Sequence, residues 1–512
     1  MTRVAVATSS QLAADAAAEV AAAGGNAVDC AIAASFLTMN TEPGVCALAG
    51  GAYVTVWAPG AEPVTIDGNV AVPGADSSQL ARDDGICSVQ MDYGGGIETL
   101  VGAGSVAVPG SLAALEMAAS QYGVAPWSKL LAPTVRATRE GFPLPAACHY
   151  YLAYSGKSIF GRSADGYGAL HEGTADGRTG EHFRSAGSRI VLPHLADSLA
   201  HIAAEGAQVF YQGELAKAMS DHCREHGGHL SMLDLANYRA IARPALSTRL
   251  GDWTIATNPP PAVGGAVLCA MLSLFEQRPV QAWNRDALKW LVEVQQACLD
   301  FRKQHLDLSE DMNSATAQLL ELARSGTQPK DWVSASTVHT SAVDDTGLAC
   351  AITASSGYGS GEMPRGTGLW LNNCLGELEL NRRGLDAGPP GARLPSNMAP
   401  SVARKADEVL AIGSPGADRI TTAVLQCLVN ALQIGMPLDT AIAHPRLHVD
   451  TTADAARLMS EPGLPLPPLD LPVTTSASIG MYFGGVGAAG FNPRAGFSVA
   501  ADPRRAGGVC EA

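Results

Sequence analysis

Thr337 is the residue of this 512-residue chain whose setting best suits covalent chemistry. It begins an alternating run, Thr337–Asp344, which leads through the turn sequence Asp345–Gly347 into a second run, Leu348–Thr353. Two short strand-like runs joined by a D-x-G turn predict a β-hairpin. The hairpin alone indicates no chemistry, because threonine is common in ordinary strands.

The segment before Thr337 suggests what that chemistry is. Residues 325–336 are polar and are expected to be exposed. A cut between Ser336 and Thr337 would place a free α-amine beside the Thr337 hydroxyl. A hydroxyl needs an adjacent base to act as a nucleophile, and an α-amine with a pKa near ~7.7–8.0 is partly neutral at working pH. The pattern favours an N-terminal threonine nucleophile, and the alternative is a structural threonine in an uncut hairpin.

Helices must pack against the hairpin to fix its position, and the sequence predicts several. Residues 10–39 predict an alanine-rich helix that Gly24–Asn26 interrupts, since glycine ends helices and asparagine caps the next one. Residues 286–325 are also predicted to be helical and to end at the exposed segment before Thr337.

A second group of residues has the types and spacing of metal ligands. His222, His226 and His229, together with Cys223, include an i, i+4 pair on a predicted helix. No carboxylate or fourth ligand has matching spacing, so we favour a solvated helix end running into Gly227–Gly228. We therefore predict no metal, and no cofactor is implied elsewhere.

The composition restricts the class of protein. The formal net charge of −15 argues against nucleic acid and anionic membranes as partners. No apolar run reaches the roughly 18 residues of a membrane span, and Met1–Thr8 lacks the apolar core of a signal peptide. The eleven cysteines are scattered without C-x-x-C pairs. We expect a cytoplasmic enzyme with reduced thiols and a small-molecule substrate.

Short motifs along nearly the whole chain resemble, in order, those of the γ-glutamyltransferases, which are self-cleaving N-terminal nucleophile hydrolases. Thr337–Asp344 resembles the T-x-H-x-S-V-V-D start of that family's small subunit. Other matches are G-G-N-A-V-D at 24–29, E-P at 42–43, S-V-A-V-P-G at 105–110, F-Y-x-G at 210–213, P-P-P at 259–261, G-T-G-L at 366–369 and G-S-P-G-A-x-R-I at 413–420.

The resemblance implies a fold, a processing event and catalytic roles. The fold is an α/β (α+β) four-layer αββα sandwich. Cleavage between Ser336 and Thr337 would give a large subunit, 1–336, and a small subunit, 337–512, which together form one intertwined domain; a dimer of such heterodimers is one option. By resemblance, Thr337 is nucleophile and base, Ser355 supports it, and the backbone N–H groups of Gly416 and Ala417 form the oxyanion hole.

The substrate pocket departs from the family pattern. Asn69 stands where the family has an arginine that clamps the α-carboxylate of the γ-glutamyl group, and asparagine cannot form that bidentate pair. Cys374 and Glu377 stand at the two amine-binding positions. Ser396 keeps the first hydroxyl of a carboxylate-binding loop, whereas Asn397 replaces the second.

Three functions remain open from the sequence. We favour an acyltransferase or hydrolase that acts on a different small carboxylated metabolite, such as an amide or C–C bond bearing an oxalyl-type group in 4-alkyl-proline antibiotic pathways. The second is a genuine γ-glutamyltransferase or glutathione hydrolase that uses other contacts, for example Arg365 or Arg393. The third is an uncut binding protein that keeps the fold.

Overall fold

The structure is a computed structural model, and it describes residues 2–76, 85–91, 96–173, 179–325, 337–450 and 456–512. Ser336, on one side of the expected cleavage bond, lies outside the described residues, whereas Thr337 lies within them. None of the helices in these ranges is both long enough and apolar enough to cross a bilayer.

The strands of the described ranges are β1 (Val4–Thr8), β2 (Gly51–Trp57), β3 (Val64–Gly68), β4 (Cys87–Met91), β5 (Ile97–Val101), β6 (Phe142–Pro143), β7 (His171–Gly173), β8 (Thr179–Phe183), β9 (Arg189–Ile190), β10 (Ile241–Pro244), β11 (Leu246–Leu250), β12 (Trp253–Thr257), β13 (Val338–Asp344), β14 (Ala349–Ser355), β15 (Ser401–Lys405), β16 (Glu408–Gly413), β17 (Leu447–Asp450), β18 (Arg457–Ser460), β19 (Val473–Thr475), β20 (Gly487–Asn492), β21 (Gly496–Ala501) and β22 (Gly508–Glu511).

The α-helices of the same ranges are α1 (Gln11–Ala22), α2 (Ala27–Thr41), α3 (Ser111–Tyr122), α4 (Trp127–Glu140), α5 (Ala146–Ser155), α6 (Ala164–Leu170), α7 (Leu195–Glu205), α8 (Gln208–Tyr211), α9 (Glu214–Glu225), α10 (Met232–Asn237), α11 (Val263–Gln277), α12 (Arg285–Phe301), α13 (Met312–Ser325), α14 (Arg419–Leu428) and α15 (Leu438–Ala443). A π-helical turn, Arg302–Leu306, continues α12.

Two antiparallel sheets form the centre of the molecule. The first has seven strands in the order β10-β3-β2-β14-β13-β1-β22, and the second has six in the order β11-β12-β15-β16-β20-β21. In each sheet, strands that precede Thr337 in the chain lie beside strands that follow it. A cut before Thr337 would therefore leave two pieces whose strands are interleaved.

The two sheets pack face to face through small side chains. Ala5 and Val343 of the first sheet belong to the same buried cluster as Ala256, Val402 and Ala411 of the second. Helices α1, α2 and α3 cover the outer face of the seven-stranded sheet, and α11 and α14 cover that of the six-stranded sheet. Because each sheet buries both of its faces, the result is a four-layer αββα sandwich, which confirms the fold expected from the family resemblance.

The predicted hairpin is formed by β13 and β14 in the middle of the seven-stranded sheet. Asp344 fixes its turn, since Oδ1 accepts the N–H groups of Thr346 and Leu348 at 3.0 and 3.2 Å. Its Oδ2 accepts the N–H of Ala27, the first residue of α2, at 3.2 Å. One end of the hairpin is thus tied to the helix layer, and Thr337 lies at the other end.

Candidate active site

One cleft brings the sequence-predicted residues together, with the exception of Gly416. Its lining consists of Asn69, Val70, Thr337, Ser355, Cys374, Glu377, Leu380, Leu394, Pro395, Ser396, Asn397, Met398, Ala417 and Ile420. The cleft, its mouth included, holds about 390 Å³ of free space.

Sheet register places Thr337 beside Ser355. Val338 lies opposite Ala354 in the β13–β14 pair, so the next position along the pair sets Thr337 across from Ser355. Both side chains are nearly buried, at 3% and 8% exposure. The Ser355 hydroxyl oxygen accepts the N–H of Gly357 at 3.3 Å, which holds the start of the following loop.

The turn between β16 and α14 carries the expected oxyanion donors. Gly416 and Ala417 have φ angles of +116° and +63°, so both lie in the left-handed region. Neither backbone N–H donates a hydrogen bond to a residue within the described ranges. A Cβ on Gly416 would lie 2.9 Å from the Cα of Gly484, which explains glycine there. Consecutive N–H groups in such a turn form an anion-binding concavity.

A buried ion-pair cluster anchors this turn from below. Asp418 follows Ala417 directly, and its Oδ1 accepts from Nη1 of Arg302 at 2.5 Å. Arg302 also donates through Nε to Asp307 at 2.8 Å. All three side chains are at most 3% exposed. The π-helical turn after α12 therefore fixes the position of the Ala417 backbone.

The side-chain amides of two predicted substrate-binding residues, Asn69 and Asn397, already donate hydrogen bonds to other groups of the protein. Asn69 lines the cleft, but its Nδ2 donates to the backbone oxygen of Leu394 at 2.8 Å. The side-chain amide of Asn397 donates to Asp418 in the anchoring cluster. Both residues hold the walls of the cleft together, and this role depends on partners far away in the sequence.

The arginines considered as substitutes for the missing clamp do not reach the cleft. Arg393 pairs through Nε with Asp67 at 3.3 Å, and its guanidinium carbon lies 4.3 Å from the ring centre of Tyr238. Arg365 is exposed. The expectation that either residue clamps a substrate carboxylate is therefore unsupported, and the lining drawn from the described residues contains neither arginine nor lysine.

Other polar groups of the cleft remain available. Glu377 is 3% exposed, and its Oε1 has no hydrogen-bond partner among the described residues. Burial, with the nearby Glu379 carboxylate, raises the pKa of Glu377 to about 8. Burial and the charge of Glu377 also raise the pKa of the Cys374 thiol. The Ser396 hydroxyl accepts the N–H of Met398 at 3.2 Å and keeps its own proton to donate.

The histidine of the nucleophile motif is a structural residue. His339 lies between the two sheets, with Nδ1 at 2.8 Å from the Thr353 hydroxyl and Nε2 at 2.7 Å from the Ser341 hydroxyl. Burial lowers the pKa of His339 to about 3, so the ring is neutral at working pH. Sequence reasoning missed apolar lining residues such as Leu380, because no motif marks them, and Ile420 entered only as the last position of the motif at 413–420.

In the structure, two histidines of the predicted cluster, His222 and His226, lie beside the carboxylate of Glu362, which is far from them in the sequence. Potential ligand atoms of His222, His226 and Glu362 lie within 4.8 Å of one another. His222 Nε2 lies 2.9 Å from Glu362 Oε2, and Arg162 Nε donates to Oε1 at 3.1 Å. The sequence argument against a metal considered only carboxylates at matching spacing, and the fold brings Glu362 to the cluster from 140 positions away. The Arg162 charge already neutralises that carboxylate and opposes a second cation.

A threonine at the start of a central strand of an αββα sandwich defines the architecture of the N-terminal nucleophile hydrolases. The gamma-glutamyltranspeptidase family profile matches residues 13–512, so the chain belongs to that family. The family and its named relatives are hydrolases and acylases, and the chain is an enzyme of this kind.

Three individual proteins illustrate the relationship. The glutathione hydrolase proenzyme of Pseudomonas aeruginosa is 29% identical over 492 residues, covering 87% of this chain and 82% of that protein. The acylase ACY 1 proenzyme of Pseudomonas sp. strain V22 is 28% identical over 471 residues, covering 86% and 82%. The structure of cephalosporin acylase from Bacillus halodurans shares the fold, with a TM-score of 0.81 over 99% of this chain and 96% of that one at 23% identity.

Proposed function

We propose that this protein is a self-cleaving N-terminal threonine acylase whose acyl pocket accepts a short carboxylated group in place of γ-glutamyl. The observation that carries the proposal is one cleft. Thr337, Ser355 and Ala417 meet in it on one side, and its described lining holds no arginine or lysine for a γ-glutamyl carboxylate. Cleavage between Ser336 and Thr337 would first release the nucleophile.

The chemistry follows from the groups in the cleft. The Thr337 amine takes the proton of the Thr337 hydroxyl while Oγ bonds to the substrate carbonyl carbon. The resulting oxyanion accepts hydrogen bonds from the N–H groups of Gly416 and Ala417, each worth about 10²–10³ in rate. The C–N bond then breaks, and the departing amine takes the proton from the Thr337 ammonium. Water repeats the attack with the same base and releases the acid and free Thr337.

The size and polarity of the cleft support an oxalyl-type acyl group. The cleft is narrow inside, which favours a short acyl chain over a long one. Ser396 and Glu377 remain as polar groups beside it. The same attack on a keto carbonyl would break a C–C bond where the departing carbon can delocalise the electron pair, for example into a conjugated imine, and takes the proton of the Thr337 ammonium. Both amides and 2-oxo acids of that kind therefore belong in a test. The role we propose is a cytoplasmic step in specialised metabolism, such as removal of an oxalyl-like fragment from 4-alkyl-proline antibiotic precursors.

Intact-mass analysis of the purified protein tests the first step. We expect two fragments that meet at Ser336/Thr337, whereas the Thr337→Ala variant stays as one chain. A single chain in both preparations would contradict the proposal and favour an uncut binding protein. Native mass spectrometry of the processed sample then shows whether one heterodimer or a pair of heterodimers forms.

A panel of anilides tests the acyl group. N-oxalyl, N-glutaryl, N-acetyl and γ-glutamyl anilides differ in chain length and charge but release the same chromophore. We expect the N-oxalyl compound to give the highest kcat/KM and the γ-glutamyl compound the lowest. Efficient γ-glutamyl turnover would instead identify a glutathione hydrolase that binds its substrate without an arginine in the cleft.

A further inference from the structure

The carboxyl group of Glu377 is the least satisfied polar group of the cleft. It is 3% exposed, and its Oε1 contacts no hydrogen-bonding atom of the described residues. On the opposite side, a Cβ built on Gly357 would lie 3.0 Å from Oε2, so the loop packs closely against the carboxyl. A buried polar atom without a partner costs about 1–3 kcal/mol. Glu377 therefore keeps one buried oxygen unpaired at a cost, and the residue itself lines the cleft.

The surroundings of Glu377 oppose its negative charge. The charged and titratable groups around it are Cys374 and Glu379 on its own loop. After cleavage, the amine of Thr337, the residue just before β13, joins them in the same cleft. Cys374 lines the cleft as a buried, neutral thiol. Glu379 accepts a hydrogen bond at Oε2 from the Tyr358 hydroxyl at 3.0 Å. No guanidinium or ammonium side chain of the described lining balances a carboxylate at Glu377.

A neutral carboxyl has a proton to donate, which a carboxylate lacks. A carboxylic acid that apolar surroundings keep protonated can serve as a hydrogen-bond donor to an anion. The acyl group of the proposed function carries a carboxylate and meets no cationic side chain in the cleft. It therefore needs hydrogen-bond donors, and the Ser396 hydroxyl is one that the described lining supplies away from Thr337 and the 413–420 turn.

We propose that Glu377 binds as a neutral acid and donates a hydrogen bond from its carboxyl group to the carboxylate of the substrate's acyl group. The Ser396 hydroxyl is the second donor to the same carboxylate. This inference rests on the proposed function and defines its substrate class as an acyl group with a carboxylate close to the reacting carbonyl. Because the donor is lost when Glu377 ionises, recognition weakens above about pH 8.

Calorimetric binding of oxamate to the processed protein between pH 6 and 9.5 tests the inference without any need for turnover. Oxamate carries a carboxylate next to an amide carbonyl and stays a monoanion over this range, and acetamide is the neutral probe. In the wild type we expect the oxamate Kd to be constant up to about pH 8 and to rise up to tenfold per pH unit above it. Acetamide binding should not change with pH.

Three variants distinguish hydrogen-bond donation by Glu377 from a general effect of negative charge on oxamate binding. Glu377→Gln keeps an N–H donor and cannot ionise, so we expect its oxamate Kd to rise less steeply above pH 8 than that of the wild type, with only the loss of the Thr337 ammonium charge remaining. Glu379→Gln removes the neighbouring charge and should move the wild-type midpoint to lower pH. Glu42→Gln is the matched control, because Glu42 is buried and has a pKa raised to about 7 but does not line the cleft. Its profile should match the wild type.

Several outcomes would overturn the inference. They are an oxamate Kd independent of pH in the wild type, loss of oxamate binding in Glu377→Gln, or tighter binding of a cationic amine than of oxamate above pH 8. The last result would make Glu377 an ammonium site. Processing or anilide turnover can fail while oxamate still binds with this profile, so failure of the proposed function is distinguishable from failure of the inference.

Discussion

The two sides of the cleft are built in different ways. The catalytic wall consists of Thr337, Ser355 and Ala417, and the recognition wall consists of residues 69–70, Cys374, Glu377 and residues 394–398. The catalytic wall lies just before β13, at the end of β14 and on the turn before α14, all bordering the sandwich core. The recognition wall lies on loops after β3 and β14, joined by hydrogen bonds such as that from Asn69 to Leu394.

This difference explains why chemistry and substrate preference can change separately. The position of Thr337 depends on sheet register, and the oxyanion donors are backbone groups that most substitutions leave in place. The recognition wall depends on side chains whose donors are either occupied, as in Asn69, or free, as in Ser396. A few loop substitutions can therefore alter the acyl pocket while the sandwich and its nucleophile stay the same.

The largest effect should come from the catalytic wall. Thr337→Ala removes the hydroxyl that we propose attacks both the preceding peptide bond and the substrate, so we expect no cleavage and no detectable turnover. Thr337→Ser keeps a hydroxyl and should cleave more slowly. Intact mass and anilide kinetics measure both effects.

A recognition-wall variant provides the contrast. Ser396→Ala removes one donor worth about 1 kcal/mol, so we expect complete self-cleavage and a KM for the carboxylated substrate raised by about fivefold. Impaired self-cleavage in Ser396→Ala would mean that the two walls do not act separately.

The second effect concerns the anchor of the oxyanion turn. Arg302→Met removes the buried cation between Asp307 and Asp418. Among the described side chains, Asp418 then keeps only the Asn397 amide, while Asp307 keeps Arg382 at 3.4 Å. Loss of a buried ion-pair partner should cost about 3–5 kcal/mol in unfolding free energy. Activity should also fall, because the Ala417 backbone loses the ion pair that fixes it. Denaturant unfolding and kcat measure the two consequences.

An exposed ion pair is the control for Arg302. Arg139 and Asp197 lie 3.0 Å apart, with side chains 56% and 81% exposed. Arg139→Met should change stability by less than about 1 kcal/mol and leave kcat unchanged. Equal losses in the two variants would show that the buried cluster has no special role in holding the turn.

Much of the fold could be predicted from local sequence. Alternation and a turn signal identified the hairpin, now seen as β13 and β14. The Gly24–Asn26 break separates α1, which ends at Ala22, from α2, which Asn26 caps by accepting the N–H groups of Val28 and Asp29. These features depend on neighbours within a few residues, and for that reason the sequence shows them. The layer order came only from the family resemblance.

The sequence predicted which residues belong to the candidate site, but not which hydrogen-bond and ion-pair partners they have. Motif positions named the residues that line the cleft, yet Arg393 proved to pair with Asp67, 326 positions away. The carboxylate of the histidine cluster, Glu362, is likewise 140 positions from His222. Which donor is occupied and which is free depends on such distant contacts, and no spacing rule in the sequence encodes them.

The third effect is a dependence of stability on pH that is specific to the recognition wall. Folded Glu377 keeps its proton to about pH 8, whereas an unfolded glutamate loses it near ~4.3. The stabilisation is therefore complete below about pH 4.3 and declines as pH rises to about 8, by at most about 1.4 kcal/mol per pH unit. Glu377→Gln should lack this decline, so the unfolding free energy of the variant should increase relative to that of the wild type between pH 5 and 8.

Denaturant unfolding at pH 5, 7 and 9 measures this decline. Glu42→Gln should remove a similar decline that ends near pH 7, because burial raises the pKa of Glu42 to about 7. Parallel pH profiles for the wild type and Glu377→Gln would show that Glu377 ionises normally in the folded protein.

The smallest effect concerns Ala417 in the catalytic wall, where the strain of a positive φ angle can be tested separately from the hydrogen-bond donor function of the backbone N–H. Ala417 has a φ of +63°, which costs an alanine about 1 kcal/mol relative to glycine. Ala417→Gly should therefore raise the unfolding free energy by about 0.5–1 kcal/mol, and kcat should stay within about twofold because glycine keeps the N–H donor. Ala406, with a φ of +51° in the turn between β15 and β16, is the matched control. If Ala417→Gly lowers kcat severalfold and Ala406→Gly does not, the alanine side chain itself holds the donors in place, and the catalytic wall then depends on side chains as the recognition wall does.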